Sequence, residues 1–232
     1  MNDYREFLRM LRLEPGRPTL FCPCPTRAIT TQLIWRGGDS LWDTPAHRTE
    51  TLISLYTYLN ADTAIIRADA GEIDEVLSCA HLLPPGLRFT IRSDDPRVLE
   101  AADRQDSVCA LASSAALYGG DFAKPLLFLS DGSEASIDAA ISRGAAGVHI
   151  PREIERLWQL YGRRIALLGG LGIETVSGGE PIDIHSRIRA LHERTHGAGW
   201  AIGTGLCDDA AEVAYLGFIS MLGIYNNLRK AT

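Results

Sequence analysis

Ile165-Ala-Leu-Leu-Gly-Gly-Leu-Gly172 is a short apolar run that ends in glycines, and Trp200-Ala-Ile-Gly-Thr-Gly205 repeats the pattern further along the chain. An amphipathic segment follows each. A strand in a parallel sheet is covered on both faces and so reads as a continuous apolar run. Glycine after it lets the chain turn tightly or approach a ligand closely. Upstream, the same alternation recurs. Apolar runs at 19–24, 63–69, 88–93, 107–112, 125–130 and 147–150 read as strands, with Pro23 limiting the first. Segments with helical periodicity separate most of them, at 26–36, 43–59, 72–83, 96–104, 134–143 and 152–161, and continue at 182–195 and 209–228. Asp43 with Pro45 marks one helix start. Eight apolar strands, each followed by a helical segment, predict an α/β fold of the (β/α)8 TIM-barrel type. A doubly wound open sheet is the alternative, because periodicity does not distinguish closure from an open edge.

The composition agrees with one domain over 1–232: 46% of residues are hydrophobic and 22% charged, and no Pro/Gly/Ser-rich linker interrupts them. A net charge of -6 and a pI near 5.5 argue against a nucleic-acid-binding body. Lysine occurs only at 124 and 230, so arginine supplies nearly all the positive charge. Arginine suits carboxylate and phosphate recognition, although coding bias produces the same composition. No run is apolar enough for a membrane span, and residues 1–7 lack a signal-peptide core, so a cytoplasmic protein is expected. Five cysteines without framework spacing suggest reduced thiols.

In a barrel, chemistry sits at the carboxyl ends of the strands. Those ends carry Cys22 and Cys24, Asp69, Arg92 with Asp94, Ser113, Ser130 with Asp131, His149, Gly169-Gly170, and Thr204 with Cys207. Asp69 suits proton transfer or stabilisation of positive charge, and equally suits a helix cap. Arg67 lies two residues earlier on the same face, available to pair with it. Arg27, Arg67 and Arg92 are candidate carboxylate ligands, and exposed structural arginines are the plain alternative. His149 is a candidate base or a satisfied interior histidine. Gly169, Gly170, Gly203 and Thr204 lie where many barrels bind phosphate through backbone N–H groups, and where glycine also serves simple turns. Cys22, Cys24 and Cys207, joined by Asp131, would make a thiolate-rich zinc site; their plain reading is as small buried hydrophobes.

Three stretches carry a family likeness. They are Arg5-Glu-Phe-Leu-Arg-Met-Leu-Arg-Leu-Glu-Pro-Gly-Arg-Pro18, the segment 43–69 ending in Asp69, and Gly144-Ala-Ala-Gly-Val-His-Ile150 with Tyr161-Gly-Arg-Arg-Ile-Ala-Leu-Leu-Gly-Gly-Leu171. In their order and local pattern the chain resembles the uroporphyrinogen decarboxylase superfamily, which includes the cobalamin-linked methyltransferases. The resemblance implies a barrel with Asp69 at the catalytic aspartate. It also implies departures. Gly172 stands for an aspartate and Thr204 for the decarboxylases' histidine, and only Arg27 matches their arginine-rich loop. The methyltransferases' zinc-binding His-x-Cys falls on Leu129 and Asp131, while Cys207 resembles their late cysteine.

The leading expectation is a decarboxylase-like lyase that acts on a carboxylated or tetrapyrrole-related small molecule and requires no cofactor. The alternative is a zinc-thiolate, cobalamin-linked methyltransferase. A third reading is a catalytically degraded barrel that serves as a binding or assembly partner. The final helix has apolar residues for a homodimer contact or for packing on the barrel.

Overall fold

The computed structural model describes residues 2–22, 27–34, 42–114, 121–205 and 215–231. The apolar runs form strands β1 (Thr19–Leu20), β2 (Thr63–Arg67), β3 (Arg88–Arg92), β4 (Val108–Ser113), β5 (Leu126–Leu129), β6 (Gly147–Ile150), β7 (Ala166–Gly169) and β8 (Trp200–Ile202). All pairings are parallel, in the order β1-β8-β7-β6-β5-β4-β3-β2. From β2 to β8 each strand pairs with its sequence neighbours, and β8 returns to pair with β1, so the sheet wraps into a nearly closed (β/α)8 barrel. The open-sheet alternative is thereby set aside.

The helices are α1 (Tyr4–Leu11), α2 (Arg27–Ile34), α3 (Pro45–Tyr58), α4 (Ile73–Ser78), α5 (Pro96–Asp103), α6 (Glu134–Ser142), α7 (Ile154–Tyr161), α8 (Ile173–Gly178), α9 (Pro181–Thr195) and α10 (Tyr215–Ala231). Two local expectations change. Pro45 occupies the first turn of α3, and the Thr44 hydroxyl, rather than Asp43, accepts the His47 N–H at 3.1 Å. The short α8 was not expected. Its N-cap is Gly172, which offers no side-chain cap bond, so it carries no start signal in the sequence.

The interior is built by the two-residue alternation of the strands. The Thr63 and Thr90 hydroxyls meet at 2.6 Å, and the Cys109 thiol lies 3.6 Å from Thr63 Oγ1, so three adjacent strands share a small polar layer. Burial pushes the Cys109 thiol up to about 11, which leaves it protonated and inert at neutral pH. Below this layer α1 plugs the amino end, where Phe7 stacks on Phe21 with ring centroids 6.1 Å apart. The last helix, α10, buries Phe218, Met221, Ile224 and Tyr225 against the chain's own helices α8 and α9. Among the described residues no helix is long and apolar enough to cross a membrane.

One ion pair ties both ends of the chain to the barrel. Arg229 on α10 reaches Asp62 at 2.8 Å, with side-chain exposures of 6% and 0%. Asp62 also accepts the Asp3 N–H at 2.9 Å, ahead of α1. Tyr225 donates to the Asn60 carbonyl at 2.8 Å. Removing one partner of such a pair leaves a buried charge without compensation. We expect Arg229→Met to lower unfolding free energy by about 3–5 kcal/mol in urea titrations, and Asp62→Leu added to it to recover most of that loss.

Candidate active site

At the carboxyl end, β2 and β3 pair so that Arg67 lies directly across from Arg92. The two cations share a cavity of about 300 Å³ with Asp69, Ala70, Ser93, Asp94 and Asp95. Adjacent like charges on paired strands destabilise one another, so this is a place suited to an anion. The three carboxylates have different tasks. Asp94 accepts the Ser113 hydroxyl at 2.8 Å and the Ser114 N–H and hydroxyl, both at 2.7 Å, which fastens the end of β3 to that of β4. Asp95 caps α5 and pairs with Arg97, whose hydrogen bonds hold it below the usual carboxylate range. Asp69 is exposed and does not cap α4, which begins at Ile73 with Glu72 as its N-cap. Its carboxylate and the Arg67 guanidinium make no hydrogen bond among the described residues. The sequence-predicted Arg67, Asp69 and Arg92 are therefore brought together. Asp95 and Ser114, which complete the floor and the brace, carry no sequence signal beyond ordinary turn chemistry.

His149 lies in the fully buried interior. Its Nε2 is 3.0 Å from the Thr204 carbonyl. A carbonyl only accepts, so Nε2 carries the proton and Nδ1 holds the lone pair. Nδ1 has no partner. Burial drives the ring down to about 4, aided by Arg92 and opposed by the Thr204 bond. The ring is thus neutral at pH 7, and its available chemistry is to accept a hydrogen bond.

At Gly169, Gly170 and Gly203 an added Cβ would meet protein at close range. Gly169 has φ +80°, and a Cβ there would stand 2.7 Å from the Thr204 carbonyl oxygen and 2.9 Å from His149 Nε2. A Cβ on Gly203 would overlap the Phe21 carbonyl. Gly170 donates its N–H to Ile150 at 2.9 Å. Thr204 bridges Leu171 and is itself buried.

The zinc set does not assemble among the described residues, where no three His, Cys, Asp or Glu side chains converge. The Phe21 ring faces His149 at 5.8 Å, so alternation sends the neighbouring Cys22 to the opposite side. There Cys22 is 3% exposed, and its carbonyl accepts the Tyr56 hydroxyl at 2.6 Å. Asp131 is bound in a turn to the Ser133 N–H at 2.9 Å. Cys24, Cys207 and the Arg27 side chain lie outside the described residues.

No family model and no curated protein matches the chain. A solved structure does. The chain has the fold of a methyltransferase from Methanosarcina mazei, with a TM-score of 0.67 and 9% identity over 98% of this chain and 99% of that one. The barrel therefore extends end to end in both proteins.

A second, larger cavity of about 1430 Å³ opens at the amino end of the strands. Size does not decide between the two, because in barrels catalytic groups project from the carboxyl ends. The dry interior beneath that end has a measurable consequence. The folded His149 ring titrates near 4, below its ordinary 6.5, so folding excludes its proton. That contribution is complete above pH 6.5 and is lost as pH falls toward 4, by about 3 kcal/mol. Urea midpoints measured across this window should fall less steeply in His149→Gln than in the parent chain.

Proposed function

We propose that the protein is a methyltransferase whose substrate carries a carboxylate or another anionic group held between Arg67 and Arg92. The observation that carries this reading is the cleft of register-paired arginines, on a barrel that matches a methyltransferase from end to end. Arg67 and Arg92 grip the anion, with Asp69 beside them to take the proton that a methyl acceptor releases. Asp94 acts through its bonds to Ser113 and Ser114, keeping the β3 end in place. Cys24 and Cys207 of the expected zinc set lie outside the described residues. The decarboxylase reading draws on the same aspartate and arginines, but the fold match lends it no support.

The test pairs two assays on one protein. Methylcobalamin is supplied as methyl donor with a panel of carboxylate- and phosphate-bearing thiols and amines, and methylated product is read by mass spectrometry. Carbon dioxide release from the carboxylates is followed in parallel. Arg67→Gln and Arg92→Gln should each raise KM about tenfold or more, the loss of one charge-assisted bond. Asp69→Asn should lower kcat with little change in KM. Carbon dioxide release without methyl transfer would restore the lyase reading.

A further inference from the structure

We infer that the amino end of the barrel carries a second binding site, for a small amphiphilic anion with a carboxylate or phosphate head on an apolar body. The inference is independent of the methyl-transfer reading. It rests on the 1430 Å³ cavity at the amino ends of β4 and β5, which lies between α1 on one side and residues 121–126 and 143–146 on the other. About half of its lining surface is apolar, from Leu8, Leu11, Val108, Phe122 and Leu126, and the rest is polar.

The charges around it are uneven. Arg12, Arg88, Lys124 and Arg143 line the cavity against two carboxylates, Asp106 and Asp121, in a chain whose net charge is -6. Several arginines elsewhere pair within the fold: Arg48 with Glu72, Arg97 with Asp95, Arg156 with Glu134, Arg187 with Glu155 and Arg229 with Asp62. The side chains of Arg12, Lys124 and Arg143 have no such partner among the described residues. Arg88 is half-buried, donates to the Leu87 carbonyl at 2.9 Å, and lies 5.0 Å over the Tyr4 ring, which fixes its guanidinium at the mouth. A wall that is half apolar, with several cations among its polar groups, matches an anionic head joined to a hydrocarbon body, and it leaves a free inorganic anion without use for the apolar half.

Isothermal titration of the full chain with octanoate and octyl phosphate tests the site, with octanol and inorganic phosphate as controls. One or both amphiphiles should bind saturably with one site per chain, and the better of the two identifies the head group. Binding should weaken about tenfold or more in the Lys124→Gln, Arg143→Gln double variant, as expected for losing charge-assisted contacts. Arg143 is exposed and Lys124 half-buried, and neither is in an ion pair among the described residues, so the variant should keep the parent's circular dichroism and unfolding midpoint. Arg67→Gln, at the opposite end, should bind as the parent does. The proposal is overturned if neither amphiphile binds saturably, if the double variant binds as well as the parent, or if octanol or inorganic phosphate binds as tightly as the charged amphiphile.

Discussion

The carboxyl end of the barrel depends on a place where strands come too close for a side chain. β1 is the shortest strand, and it joins the ring only through β8, with Phe21 donating to the Ile202 carbonyl at 2.8 Å. Gly203 makes that approach feasible, because a Cβ would overlap the Phe21 carbonyl. Gly169 repeats the device between β7 and β8, where only a bare backbone at φ +80° leaves room for the bond between His149 and Thr204. Trp200 then locks the seam from outside the pair, its indole N–H reaching the Gly169 carbonyl at 3.1 Å. The neutral, buried state of His149 follows from this tightness: the ring makes one hydrogen bond, to the Thr204 carbonyl, and packs beside Phe21.

This fold was legible because its signals are local. Parallel strands buried on both faces write themselves as apolar runs, and the helices between them write themselves as periodicity. Less legible was the purpose of individual residues at the strand ends. The glycines of 165–172 and 200–205 have the same letters in a phosphate loop and in a strand seam, and only the distances to Thr204, His149 and Phe21 separate the two. Cys22 ends the first apolar run, yet it is the neighbouring Phe21 whose ring faces His149. Asp69 as cap or as site residue was open by pattern alone, and the start of α4 at Ile73 removed the cap. The amino-end cavity escaped sequence reading altogether, since Arg12, Arg88, Lys124 and Arg143 belong to four separate segments that only the closed barrel gathers.

Electrostatics divides the molecule into parts that are settled and parts that are not. At Asp62 and Arg229 the charges are buried and compensated, and they hold the chain's two ends against the barrel. At Asp94 a carboxylate is satisfied by three donors from β4 and the residue after it. At the two ends of the barrel lie charges without an ion pair among the described residues: Arg67 and Asp69 at one, and Arg12, Lys124 and Arg143 at the other.

That division explains why the β2–β3 cleft is a better seat for chemistry than the glycine stretches that mark the fold. A binding site must hold unsatisfied groups in a fixed place, and both conditions oppose folding unless the frame supplies the rigidity. At the β7–β8 seam, contact with the protein itself already occupies the space around the glycines. At the β2–β3 end, the sheet register fixes Arg67 against Arg92, and Asp94 braces the neighbouring strand. The register holds the two like charges side by side in mutual repulsion. An arriving anion relieves it at little cost in reorganisation, because the cations are already side by side.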